Sequence, residues 1–258
     1  MKFDNFENIL LEDLAWRKKE ITELYLIASD NKNEVLFKSL ILILYAHWEG
    51  YIKHSSKLYI KYISEEKVNI CDLTYNFKAL ALKNNITRVI NSQDNLTLGN
   101  ELKFMEKYEL MQYKNFKVKI DISDEFDKSI INTKDNLNPG VFKNILDILG
   151  LKYLEPFESR EKYIDKNLLG NRNAIGHGSK FDSDDKNDFK LCIEDLSLLK
   201  QFILEVLDFY TNMMFEYIEN KFYLLENFTR KLDYDNEKNI EFDRILKLLE
   251  KQNENNAI

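Results

Sequence analysis

The stretch Leu40-Ile41-Leu42-Ile43-Leu44-Tyr45-Ala46 decides the fold that we expect, because it is apolar on every side of a helix. A helix without a polar face has to be surrounded by other helices. The apolar spacing on either side predicts that this helix covers residues 34–64 and forms the centre of a bundle. Its second half carries three lysines on one stripe at i, i+4 spacing: Lys53, Lys57 and Lys61.

Amphipathic segments along the rest of the chain predict the helices that surround the central one. In each segment, apolar residues recur every three or four positions, which is the period of a buried helix face. Asn138-Pro139 supplies an N-cap followed by proline at the first helical position, and Gly150 can end the same helix. The predicted segments are 5–28, 77–90, 98–111, 139–149, 158–175, 189–226 (the longest) and 239–251.

Glycine and proline are scarce, with 7 Gly and 2 Pro in 258 residues, which argues against an all-β protein with many tight turns. Residues 116–122 are an exception, because they alternate between apolar and polar as a half-buried strand does, and Ile130-Ile131 could pair back as a small hairpin. We expect an all-α bundle with long central and C-terminal helices. It would form a single domain over 1–258, with an insertion at about 65–137 and an accessory helix at about 239–252.

Charge and hydropathy narrow the class of protein. The net charge is −7, whereas a nonspecific nucleic-acid coat protein is normally basic, so any RNA contact has to use local basic patches. Residues 1–20 lack the basic and then apolar order of a signal peptide. The 40–46 run is far shorter than the roughly 20 residues of a membrane span. We therefore expect a soluble, cytoplasmic protein with no membrane partner.

The two cysteines, Cys71 and Cys192, form no C-x-x-C pair. We expect both to be buried, reduced thiols, as is usual in the cytosol. A zinc site is disfavoured, because the chain has only 3 His and none lies at ligand spacing from a cysteine. The glycine loops that bind nucleotide phosphates are absent as well, so we expect neither a metal nor a cofactor.

One dense group of polar residues lies within 168–178, at the end of a predicted helix. Arg172 can present a planar fork of donors to a phosphate, and a histidine such as His177 can exchange a proton near neutral pH. Asn173 follows the arginine directly, and Gly176 and Gly178 flank the histidine. The alternative interpretation is a purely structural helix end.

The segment Arg172-Asn173-Ala174-Ile175-Gly176-His177-Gly178 resembles the signature of the HEPN superfamily. Ribonucleases of that superfamily carry an arginine followed directly by a polar residue, and a histidine separated from the arginine by four to six positions. Gly176 departs from many relatives, which carry alanine there, and it can loosen the helix end. Further segments, within about 34–225, are similar to the MAE-type branch of HEPN-like nucleases: 44–54, 132–138 and 145–151.

The resemblance implies a metal-independent endoribonuclease, often dimeric and often part of a toxin–antitoxin or antiphage system. The 2′-hydroxyl of the RNA would attack the neighbouring phosphate and give 2′,3′-cyclic phosphate and 5′-hydroxyl ends. His177 would act as base or acid, Arg172 would stabilise the developing charge, and Asn173 would position the phosphate. Because one histidine cannot readily be both base and acid, a homodimer with a composite site is expected. An antitoxin or regulatory protein is a further expected partner.

Three residues of the central helix are candidates for supporting roles. Glu49 lies in an otherwise buried helix and needs a partner; Arg172 is the one we expect, and a gap in the bundle surface is the alternative. His47 and His54 share a helix face. Both fit positions in the core or at its boundary, but either would supply the missing acid if it reached the cleft.

RNA contact is expected from lysines on two segments. Lys53 and Lys57 lie on the central helix, and Lys114 and Lys117 alternate with Tyr113 and Phe116, whose rings could stack on bases. Solvated lysines are the plainer interpretation. The acidic loop 182–188 next to the motif could dock an antitoxin or restrict substrate entry.

These observations leave three functional hypotheses. The first is a HEPN-type endoribonuclease acting as a toxin or defence effector. The second is a non-catalytic HEPN-type module that binds a nucleotide or a protein through the same pocket. The third is a structural interaction protein that assembles through the predicted 189–226 helix.

Overall fold

The computed structural model describes residues 1–90, 98–124, 127–178 and 192–256. Its central element is α2 (Glu34–Glu65), which begins at the N-cap Asn33, whose side chain accepts a hydrogen bond from the Val35 N–H. Helix α1 (Phe3–Asn31) runs antiparallel to it, so that the amino terminus pairs with Glu65. The central helix is thus confirmed to within one residue of its predicted end.

Two C-terminal helices complete the bundle, α9 (Ile193–Glu219) and α10 (Phe228–Asn256). Helix α9 packs on α1, α2 and α10, and hydroxyl pairs join it to α2: Tyr51 to Thr211 at 2.6 Å and Ser56 to Tyr210 at 2.9 Å. Because these polar groups are buried, each hydroxyl needs the partner that it has.

Shorter helices close the remaining sides: α3 (Tyr75–Ile90), α4 (Gly99–Gln112), α5 (Pro139–Leu149), α6 (Glu155–Glu158), α7 (Glu161–Ile164) and α8 (Asn171–Gly176). Helix α5 has the predicted caps: the Asn138 side chain accepts from the Val141 N–H, and Gly150 ends the helix with φ 74°. The all-α fold is therefore confirmed.

The expected β-hairpin is wrong, because the described residues contain no β-sheet, only two isolated bridges, Asn69 to Asn115 and Leu73 to Leu224. Residues 116–122 instead run extended across the end of α2. Phe116 donates to the Val68 carbonyl at 2.7 Å, and Val118 donates to the Ser64 hydroxyl at 2.9 Å. The alternation arises because this unpaired segment lies with one side on the core.

The predicted C-terminal boundaries need correction. Helix α9 ends at Glu219, not at residue 226, and α10 begins at Phe228, not at residue 239. The apolar residues Phe222 and Tyr223, which seemed to extend α9, are buried in the turn between the two helices. The longest described helix is α2, with 32 residues.

The predicted burial of the cysteines is wrong, since Cys71 is only partly buried and Cys192 is exposed, but both are free thiols as predicted. Cys192 is the N-cap of α9, where its sulfur accepts from the Asp195 N–H. By length and apolar composition alone, α2 could cross a membrane, although the buried core helix of a bundle passes the same test.

Candidate functional site

The Arg172–His177 motif lies at the end of a continuous helical run. This run starts with α7, widens into a π-helical turn over Asp165–Gly170 and continues as α8. Leu168 and Leu169 are buried and fix the turn to the core. Since π-turns often occur at functional sites, their presence directly before this motif is consistent with one.

Helix α8 ends at Gly176, and His177 is its C-cap. The His177 N–H donates to the Asn173 carbonyl at 2.9 Å, and Gly178 adopts φ 70° and donates to the Ile175 carbonyl at 3.0 Å. The His177 side chain is exposed, while Arg172 and Asn173 are partly buried. The motif therefore presents its imidazole to solvent five residues after Arg172, which is partly buried.

Three groups hold the Arg172 guanidinium. Its Nη1 donates to Asn173 Oδ1 at 2.8 Å, and its Nη2 lies 3.4 Å from the Asp135 carbonyl oxygen. The guanidinium carbon lies 4.4 Å from the centre of the Tyr45 ring, which is a cation–π contact. Asn173 therefore braces the arginine in this structure.

The expected ion pair between Glu49 and Arg172 is not among the contacts of the described residues. The Glu49 carboxylate instead lies near the hydroxyl of Tyr45, the residue on which Arg172 stacks. Burial raises the pKa of the Tyr45 hydroxyl to about 12, and the Glu49 charge adds to this. Glu49 thus reaches the arginine through Tyr45, which our sequence reasoning did not single out.

A loop over residues 132–138 lies against the site, beside α8 and Tyr45 of α2. The Leu137 N–H donates to the Tyr45 hydroxyl at 3.0 Å, and Trp48 Nε1 donates to the Leu137 carbonyl at 3.1 Å. Lys134 and Asp135 both have left-handed backbone conformations, with φ 55° and 56°. Such conformations cost energy in residues other than glycine and tend to collect at functional sites.

Positive charge gathers around Asp135. The hydrogen bond and the charge of Lys128 lower the pKa of the Asp135 carboxyl, and the charges of Lys53 and Arg172 lower it further. Lys128 Nζ lies 2.6 Å from the Asp135 carboxylate. The protein is acidic overall, so this group of two lysines and an arginine is the kind of local basic patch that RNA contact would require.

His47 and His54 do not reach this site. Both face α1, on the side of α2 away from Tyr45: His54 Nδ1 lies 2.8 Å from Asp13 Oδ2, and His47 Nδ1 lies 3.4 Å from Arg17 Nη1. His47 Nε2 lies 2.7 Å from Glu20 Oε2, a close contact but poorly aligned for a hydrogen bond. Neither histidine can supply an acid to the Arg172 site of its own chain.

The contact of His47 with Arg17 leads to a prediction about pH. Burial lowers the pKa of His47, and the Arg17 charge lowers it further, although Glu20 and Asp13 oppose this. As the pH falls, His47 therefore binds its proton at a higher pH in the unfolded chain than in the folded protein. The free energy of unfolding should then fall as the pH drops below about 6.5. Urea titrations between pH 5.5 and 7.5 should show this slope, and His47→Gln should flatten it. An equal slope in both proteins would contradict the assignment.

The predicted RNA-binding lysines divide into two groups. Lys57 is only 3% exposed, and its ammonium donates to the Asp124 carbonyl at 2.8 Å, so it fastens a loop and cannot also contact RNA. Lys114 and Lys117 are exposed and Lys53 is partly buried. Of the two rings beside them, Tyr113 is 81% exposed, but Phe116 is fully buried and cannot stack on a base. The acidic loop 182–188 lies outside the described residues.

One comparison with known proteins identifies the family of this chain. A family model described as HEPN_MAE_28990-like HEPN matches residues 6–223, which include α2, the 132–138 loop and the motif of α8, and leave out α10. No curated protein and no solved structure gives a match. The matched region covers most of the chain, so this protein belongs to the HEPN superfamily.

Proposed function

We propose that this protein is a metal-independent endoribonuclease that acts as a toxin or defence effector. The observation that carries the proposal is the pairing of a held guanidinium, Arg172, with an exposed imidazole, His177, on one short helix. Membership of a superfamily that includes ribonucleases supports it, and so does the basic patch around Asp135.

The chemistry needs only groups of these types. A base takes the proton of the 2′-hydroxyl, the O2′–P bond forms as the P–O5′ bond breaks, and an acid returns a proton to O5′. Arg172 would stabilise the charge on the phosphoryl oxygens, and His177 would serve as base or acid. The products are a 2′,3′-cyclic phosphate and a 5′-hydroxyl.

A homodimer would complete the site. The other two histidines of the chain face α1, so one chain offers a single histidine, His177, to the cleft. A two-fold interface beside α8 would bring a second copy of Arg172 and His177 to the same phosphate.

The same shortage of titratable groups favours the second candidate, a HEPN-type module that binds nucleotides or proteins without cleavage. An antitoxin or regulatory protein would then restrain or use the site.

Cleavage of total cellular RNA in excess EDTA tests the proposal. We expect the purified protein to release discrete fragments with 5′-hydroxyl and 2′,3′-cyclic phosphate ends, and we expect Arg172→Ala to release none. Arg230→Ala is the matched control, because Arg230 is an exposed arginine on α10, outside the site. Fragments with 5′-phosphate ends would contradict the mechanism. Intact RNA that is nevertheless bound would favour the binding module.

A further inference from the structure

Tyr45 is the point where the three parts of the site meet. Its ring lies under the Arg172 guanidinium of α8, its hydroxyl accepts from the Leu137 N–H of the 132–138 loop, and the residue itself belongs to α2. The side chain is almost fully buried. Burial and the hydrogen bond from Leu137 together leave the ring little freedom to rotate away.

This arrangement leaves one edge of Arg172 available. Of the five N–H donors of a guanidinium, one on Nη1 and one on Nη2 have partners among the described residues. Three donors, including the one on Nε, have no partner in the part of the chain that the structure describes, and we expect them to bind the ligand. Because the ring covers one face of the planar group, these donors point sideways from a fixed plane, which suits bidentate contact with a phosphate.

We propose that Tyr45 is a positioning residue, which holds the Arg172 guanidinium flat so that its free donors meet the phosphate of the bound RNA. This inference rests on the proposed ribonuclease function. The ring supplies the support, and the hydroxyl fixes the ring and docks the loop whose Asp135 carbonyl contacts the guanidinium. Removing the ring should therefore matter more than removing the hydroxyl.

Kinetics of four variants test this order of effects. Tyr45→Leu should lower kcat by about 10- to 30-fold, because a desolvated cation–π contact is worth up to about that factor. Tyr45→Phe keeps the ring and should recover most of that loss. Tyr51→Leu and Tyr51→Phe are the matched controls, since Tyr51 is a buried tyrosine of the same helix whose hydroxyl bonds Thr211 instead. Both controls should keep wild-type kcat at temperatures where they are folded.

A second measurement needs neither RNA nor activity. In protein labelled with ¹³C-arginine, the δ-methylene protons of Arg172 should be shifted by the Tyr45 ring current, and Arg172→Lys assigns them. Tyr45→Leu should move these signals toward those of Arg244, an exposed arginine on α10, whereas Tyr45→Phe and Tyr51→Leu should leave them in place.

The two measurements separate the possible failures. Displaced Arg172 signals together with a lower kcat in Tyr45→Leu would support the positioning role. Unchanged signals, or an unchanged kcat in an active enzyme, would overturn it while the ribonuclease activity stands. Wild-type protein that leaves RNA intact would overturn the proposed function, and with it this role in catalysis, even if the signals move.

Discussion

Replacing His177 with alanine should lower the rate of RNA cleavage by about 10²- to 10⁴-fold, the usual contribution of a general acid or base. The imidazole is exposed five residues after the held Arg172, and the proposed chemistry requires it to reach a phosphate that the arginine binds. No other histidine of the chain lies on this side of α2. Initial rates on a defined RNA, at saturating and at low concentration, would measure the loss in kcat and in kcat/KM.

The same substitution should leave the fold unchanged, so that a loss of activity can be assigned to the missing imidazole. Among the described residues, the His177 ring has no hydrogen bond or ion pair, and the contacts that end α8 come from its backbone N–H. Surface substitutions of this kind usually change stability by less than about 0.5 kcal/mol. Equal melting temperatures for wild type and His177→Ala would show that the lost activity is chemical. Full activity in the variant would mean that the site lies elsewhere.

Mixed dimers extend this experiment to the composite site. If one histidine acts as base and the histidine of the second copy acts as acid, a dimer with a single His177→Ala chain should be inactive. Equal amounts of wild-type and variant chains, re-paired at random, should then retain about a quarter of the activity. Retention of half would show that each chain cleaves by itself.

The fold could be predicted in large part from local signals. The unbroken apolar face of residues 40–46 placed α2, and Asn138-Pro139 with Gly150 placed α5, because caps and burial act within a few residues. The two boundaries of α9 and α10 were missed for a tertiary reason. Phe222 and Tyr223 continue the apolar pattern of α9, yet they are buried by a turn and not by a helix.

The site could be predicted only in part. The residue types of Arg172, Asn173 and His177 suggested phosphate chemistry by themselves. The stacking of Arg172 on Tyr45 joins positions far apart in sequence, and no local pattern encodes such a contact. Lys57 shows the opposite error, because its place on a polar stripe predicts exposure to solvent, but two carbonyl groups of a distant loop accept hydrogen bonds from its ammonium.

The largest loss of stability should come from the polar cluster between α1 and α2, away from the site. Asp13 accepts hydrogen bonds from Trp16 Nε1 at 2.9 Å, from Arg17 Nε at 2.8 Å and from His54 Nδ1 at 2.8 Å. The side chains of Asp13 and Arg17 are only 11% and 12% exposed. Burial would raise the pKa of the Asp13 carboxyl, but the hydrogen bond from His54 and the charge of Arg17 outweigh it and lower the pKa.

Asp13→Ala should therefore lower the free energy of unfolding by about 3 to 5 kcal/mol, since it leaves the Arg17 guanidinium buried without its counter-charge. Glu23→Ala on the same helix is the matched control. It removes the exposed pair with Lys19, which should cost no more than about 1 kcal/mol. Urea titration at pH 7 would compare the midpoints. The contribution of Asp13 should also be lost in wild-type protein as the pH falls from about 4 through the lowered pKa of this carboxyl, because the carboxyl stabilises the fold only while it is ionised. Equal losses in the two variants would show that burial adds nothing to this ion pair.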